Sequence, residues 1–157
     1  MIASQHPRYP VGTQVMGTFG VQEYAVSDGS GVTRIDPALG TPSMYLGVLG
    51  LTGMTAYFGL HDHGRPRAGD TVLVSAAAGA VGSIVGQLAL INGCRVVGIA
   101  GGPEKCAYVR DELGFHDCLD YREGDIRPAL REACPDGIDV YFDNVGGEIL
   151  NAALGHL

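Results

Sequence analysis

Between Asp70 and Leu157 the apolar positions alternate between two rhythms. Short apolar runs at 71–75, 95–100, 117–121 and 138–143 read as strands, while 80–92, 103–113, 126–134 and 147–157 carry helical spacing. Strand and helix in regular alternation predict right-handed βαβ units around a parallel sheet. Asn92-Gly93 and Gly114 suit the left-handed conformation that ends a helix, and Pro103 is preorganised for a first helical turn. The predicted fold class is α/β, the first part of a doubly wound parallel (Rossmann) sheet.

Upstream the rhythm changes. Residues 1–36 are rich in Gly, Pro, Val and Thr, with alternating pieces at 14–19 and 22–26 that read as short β-strands. They are too few to close a barrel or sandwich, so a partner for them is expected elsewhere. The stretch 46–60 is apolar almost throughout and predicts a buried helix, followed by a polar turn over 61–70. His61 and His63 lie in that charged turn and are assigned no metal.

The length of 157 residues and an apolar content of 46% suffice for a core. A net charge of −7 with singly scattered basic residues disfavours nucleic acid and anionic membranes as partners. No stretch has the length and uniformity of a membrane span, and the expected location is cytoplasmic. Cys94, Cys106, Cys118 and Cys134 lack CxxC spacing and read as buried reduced thiols, with no metal site expected.

The chemistry concentrates where the first strand of the alternating region meets the first helix. Ala77-Ala-Gly79-Ala-Val-Gly82 is G-x-G-x-x-G with Ala in the first position, set between a strand and a helix. Such a turn aims backbone N–H groups from Gly79, Ala80, Val81 and Gly82 at a phosphate, assisted by the helix dipole. Gly79 permits close approach of a pyrophosphate, while Gly82 and Gly86 let the helix lie close to the sheet.

The end of the second strand selects the nucleotide. An NAD-binding protein places an acid there for the adenosine ribose, whereas this chain has Gly101-Gly102. Without that carboxylate a 2′-phosphate meets no repulsion, and Lys105, the only lysine in the chain, can reach it from the following helical turn, with a merely solvated lysine as the alternative; Glu104 beside it is open to reading as an NAD-type acid but better suits the helix N-terminus. The cofactor expected is NADP. Tyr121 and Arg122 close the third strand on the same side, and either phosphate contact or packing would suit the tyrosine. Asn144 closes the fourth strand beside the topological switch, where a cofactor contact and a simple Asx turn are both open readings.

Gly50-Leu-Thr-Gly-Met-Thr-Ala-Tyr-Phe-Gly59, Val74-Ser-Ala-Ala-Ala-Gly-Ala-Val-Gly-Ser83, Gly101-Gly-Pro-Glu-Lys105, Asp120-Tyr-Arg122 and Asp139-Val-Tyr-Phe-Asp-Asn-Val-Gly-Gly147 are more specific. With these stretches the chain resembles the zinc-independent branch of the medium-chain dehydrogenases/reductases, in particular the NADP-dependent alkenal double-bond reductases and prostaglandin reductases. The resemblance implies that Gly79 to Gly82 hold the pyrophosphate, that Lys105 and Tyr121 contact the 2′-phosphate, and that Asn144 lines the cofactor site. It implies hydride transfer from NADPH to the β-carbon of an α,β-unsaturated aldehyde or ketone, and a homodimer at full length. Residues 1–45 would be part of a GroES-like catalytic domain, 46–69 a connecting helix and loop, and 70–157 the N-terminal half of the NADP-binding Rossmann domain.

The chain departs from that family at Val21, where a Trp is typical, and in length. It is expected to be a fragment that starts inside the first domain and stops halfway through the second, with catalytic residues lying outside it. Quinone reduction within the same superfamily, or NADPH binding without catalysis, stay open as alternatives. A methyltransferase is disfavoured because no acid ends the second strand.

Overall fold

The computed structural model describes residues 1–157 and divides into two compact units, Met1–Leu51 and Thr52–Leu157. In the first unit only β1 (Val15–Met16) and β2 (Thr33–Arg34) pair, antiparallel. Tyr9, Ile35 and Tyr45 are its buried hydrophobic residues, and the Tyr9 hydroxyl donates to the Val32 carbonyl at 2.8 Å. A short helix, α1 (Pro42–Leu46), closes the unit. The expected strand at 22–26 does not form. It has no neighbouring strand to bond, and Val21 and Val26 stand fully exposed.

The expected helix over 46–60 is also redrawn. Residues 47–50 form a turn, α2 runs Leu51–Phe58, and a wider π-type turn covers Gly59–Gly64. Gly53, Ala56 and Leu60 form the one buried stripe, while Leu51, Met54, Tyr57 and Phe58 are exposed. An apolar composition did not mean burial here, because only one side of the helix has protein to pack against.

The second unit carries a four-stranded parallel sheet built from β3 (Thr71–Ser75), β4 (Arg95–Ala100), β5 (Asp117–Asp120) and β6 (Val140–Phe142). Its order is β5-β4-β3-β6, so the chain steps outward from β3 in one direction and then crosses back to the other side. That reversal between β3 and β6 is the topological switch of a doubly wound sheet, the fold class read from the sequence. Register is set by Val72 opposite Val96 and Val140, and by Ile99 opposite Leu119.

Helix α3 (Gly82–Ile91) and α4 (Pro103–Ala107), which continues into a wider turn at Tyr108–Glu112, cover one face. Helices α5 (Ile126–Ala133) and α6 (Gly147–Leu154) cover the other. Side chains alternate accordingly. Val72, Val74 and Val96 enter one core with Val85, Ala89, Val109 and Phe115, whereas Leu73, Val97 and Ile99 enter the other with Leu119, Ile126 and Leu130. Burial on both faces explains why β3 reads as an unbroken apolar run. Each fully buried Val or Leu contributes about 1.5–3 kcal/mol relative to exposure.

Glycines set two close approaches. Gly86 lies under the Phe115 ring, and Gly98 has Ala77 and Val109 within 2.9 Å of the place a Cβ would occupy. The space left by Gly86, expected to admit the sheet, is filled by Phe115. Val140 and Phe142 lie against Gly64 and Gly59 of the π-type turn. All four cysteines are free and buried.

Candidate functional site

Every residue assigned to the cofactor from the sequence falls at or just beyond the carboxyl ends of the strands. At the end of β3, Ala76 takes a left-handed φ of 48°, unusual for a residue with a Cβ, and turns the chain sharply. The loop is stitched down by Ala77 N–H to Ile99 C=O at 3.0 Å and Gly79 N–H to Ala76 C=O at 2.8 Å. A Cβ on Gly82 would collide with the Ala76 carbonyl, so only glycine lets α3 begin there. Gly79 and Ala80 are exposed, and the N–H groups of Ala80, Val81 and Gly82 donate to no carbonyl of the chain. Unspent N–H groups at the start of α3 suit a phosphate.

At the end of β4 the chain passes through Gly101 and Gly102, the latter with φ of 96°. Asp120, the last residue of β5, accepts from the N–H of Gly102 and of Arg122, both at 2.9 Å. These two bonds hold its carboxyl below the usual carboxylate range, the Gly102 contact contributing most. They also end the strand one residue early. Tyr121, expected as the last residue of β5, instead opens a 3-10 turn at Tyr121–Glu123 that Asp120 caps.

That turn folds the Tyr121 ring onto Gly101, where a Cβ would stand 2.7 Å from the tyrosine hydroxyl. The Arg122 guanidinium reaches within 3.6 Å of the Cβ position of Gly102. Lys105, in α4, is exposed and its side chain makes no hydrogen bond or ion pair, and Arg122 forms no ion pair. Two unpaired cations and a phenol thus frame the edge formed by the ends of β4 and β5. A cavity of about 430 Å³ opens beside Tyr121 between the first turns of α5 and α6, lined also by Ile126, Arg127, Glu148 and Ile149.

Across the switch, Asn144 follows β6. Its backbone N–H donates to Ser75 Oγ at 2.8 Å, and its Nδ2 donates to the Ser75 carbonyl at 2.9 Å. The Asx turn weighed for this segment belongs to Asp143, whose Oδ1 accepts from the N–H groups of Val145 and Gly146. No group of three or more His, Cys, Asp or Glu is placed to hold a metal ion.

A family profile described as zinc-binding dehydrogenase matches residues 80–157. The chain is 47% identical over 154 residues to the NADPH-dependent curcumin reductase of Escherichia coli, covering 98% of this chain and 45% of that protein. It is 47% identical over 158 residues to prostaglandin reductase 1 of Mus musculus, covering 98% of this chain and 48% of that protein. The chain belongs to the medium-chain dehydrogenase/reductase family, in its alkenal and prostaglandin reductase branch. Among solved structures, CurA of Vibrio vulnificus in complex with NADPH superposes with a TM-score of 0.92 at 47% identity, over 99% of this chain and 46% of that one. The chain therefore spans less than half the length of these family members.

Two features of this family member escaped the reading of its sequence. One is the pair Ser75 and Asp143, which tie the ends of β3 and β6 together at 3.1 Å. The other is the capping role of Asp120. A serine ending an otherwise apolar strand was the available signal for the first, but its partner lies 68 residues away.

Proposed function

We propose that this chain is the cofactor-binding part of an NADPH-dependent reductase that reduces the C=C bond of α,β-unsaturated aldehydes or ketones. The observation that carries the reading is the edge at Gly101. No acid ends β4, the Asp120 carboxylate of the neighbouring strand is taken up by the N–H groups of Gly102 and Arg122, the Tyr121 ring occupies the space beside Gly101, and the side chains of Lys105 and Arg122 form no ion pair. Such an edge suits a 2′-phosphate and disfavours the free ribose of NAD.

The residues present fit the dinucleotide. The N–H groups of Ala80, Val81 and Gly82 would meet the pyrophosphate, with exposed Gly79 leaving room for it. Lys105 and Tyr121 would hold the 2′-phosphate by charge and by hydroxyl donation. Asn144 would line the nicotinamide side, at the switch between β3 and β6. When bound, NADPH would supply the hydride for the β-carbon of the substrate, whose α-carbon would take a proton from solvent.

The relatives' names, a curcumin reductase and a prostaglandin reductase, support a reductase of small molecules, and homodimerisation of the full-length protein belongs to the same proposal. The test is consumption of NADPH by the intact gene product with 2-alkenals, and with quinones as the competing class. Turnover of alkenals with NADPH and little with NADH is the expected result. Faster turnover of quinones would overturn the substrate class, and nucleotide binding without turnover would overturn the activity.

A further inference from the structure

We propose that Ser75 is a positioning residue: with Asp143 it clasps the ends of β3 and β6 and so presents Asn144 to the dinucleotide. The proposal rests on the NADPH-binding reading above. Ser75 is fully buried at the end of an apolar strand, where an unbonded hydroxyl is costly. Its hydroxyl is used in both senses. It donates to Asp143 Oδ1 at 3.1 Å and accepts the Asn144 N–H at 2.8 Å, while its carbonyl accepts Asn144 Nδ2 at 2.9 Å. These bonds, with a longer contact from the Ser75 hydroxyl to the Phe142 carbonyl at 3.5 Å, cross the switch from one residue.

Asp143 is itself held from several sides. The Tyr141 hydroxyl donates to it at 2.8 Å, and the N–H groups of Val145 and Gly146 at 3.0 and 2.9 Å. Asn144 consequently has little freedom. With its backbone N–H and one side-chain N–H engaged by Ser75, the amide oxygen and the second side-chain N–H are left to an exposed flank. An amide acceptor and donor locked in place suit the hydroxyl and carboxamide groups of a nicotinamide riboside, the half that NADPH and NADH share.

The clasp differs in its expected signature from Lys105, which bears on the 2′-phosphate alone. In the intact gene product, Ser75→Ala removes the donor to Asp143 and the acceptor for Asn144. It should raise the dissociation constants of NADPH and NADH by the same factor, about tenfold. Asp143→Ala should do likewise, whereas Asp143→Asn keeps an oxygen at the same place and should bind as the parent does. Amide hydrogen exchange in the cofactor-free protein should quicken at Asn144 and Gly146 in the two alanine variants only.

A folded Ser75→Ala protein with unchanged affinity for both nucleotides, or with loss confined to NADPH, overturns the proposal. If Ser75→Ala does not fold, the contrast between Asp143→Ala and Asp143→Asn decides on the same readouts, and equal behaviour of the two overturns it. A parent protein that binds neither nucleotide overturns the binding reading itself, and the clasp's role with it.

Discussion

Tyr121 rests on Gly101 so closely that the tyrosine hydroxyl, Cε1 and Cζ all lie within 2.8 Å of where a Cβ would stand. The two positions are therefore coupled: no side chain, acidic or otherwise, can be added at 101 while Tyr121 keeps its place. Gly101→Asp alone should weaken NADPH by roughly tenfold or more, on the scale of a lost hydrogen bond to a charged group, with no matching gain for NADH. Only Gly101→Asp combined with Tyr121→Ala should improve NADH. Titrations of both nucleotides on the two variants check this, and a gain for NADH in the single variant would contradict it.

The Lys105 side chain is exposed and makes no hydrogen bond or ion pair, so its removal leaves no buried group unsatisfied. Lys105→Ala should leave the melting temperature within about 0.5 kcal/mol equivalent of the parent, as surface changes do. It should weaken NADPH by about 1.5–3 kcal/mol and leave NADH unchanged. Calorimetric titration measures both, and equal weakening toward NADH would remove the phosphate assignment.

The Gly86 and Phe115 contact predicts a purely structural effect. A methyl at position 86 meets the buried Phe115 ring, and overpacking of this kind costs about 1–3 kcal/mol. Gly86→Ala should therefore unfold earlier in denaturant, and Phe115→Leu in the same chain should restore part of the loss.

Two groups of the clasp titrate in opposite directions. Burial, followed by its bond to Asp143, pushes the Tyr141 phenol up to about 12, even against the Ser75 contact. The stability it contributes is complete below the unfolded value of about 10 and is lost as pH rises through the folded value. Burial acts to raise Asp143, but the N–H groups of Gly146 and Val145 with the Tyr141 and Ser75 hydroxyls outweigh it and hold the carboxyl low. Its contribution is present above about pH 4 and is lost as pH falls through the folded value. Melting curves of Tyr141→Phe should lose the alkaline decline, and those of Asp143→Asn should flatten on the acid side.

In this chain β6 bonds to β3 alone, leaving one edge of a three-residue strand open, and α2 exposes Leu51, Met54, Tyr57 and Phe58. Open edges and apolar faces recruit other chains. The isolated 157-residue chain should self-associate with rising concentration and bind NADPH weakly. Light scattering and nucleotide titration test this, and a monodisperse, cooperatively melting chain with micromolar affinity would refute it.

The sequence by itself determined the alternation of strands and helices, the sheet class, and the glycine turn from Gly79 to Gly82. These follow from local periodicity and from backbone conformations that only small residues adopt. It also placed Tyr121 and Asn144 at strand ends and Lys105 on the helical turn that follows one, since position along a βαβ unit sets which end of the sheet a residue occupies.

Tertiary structure decided what those positions face. That Gly101 makes room for Tyr121, that Gly86 makes room for Phe115, and that Ser75 engages Asp143 and Asn144 are contacts between residues about twenty to seventy positions apart. The same holds for 22–26 and 46–60, where an apolar or alternating pattern predicted a strand and a buried helix. A strand requires a bonded neighbour and a buried face requires a covering layer, and neither is written into a local pattern.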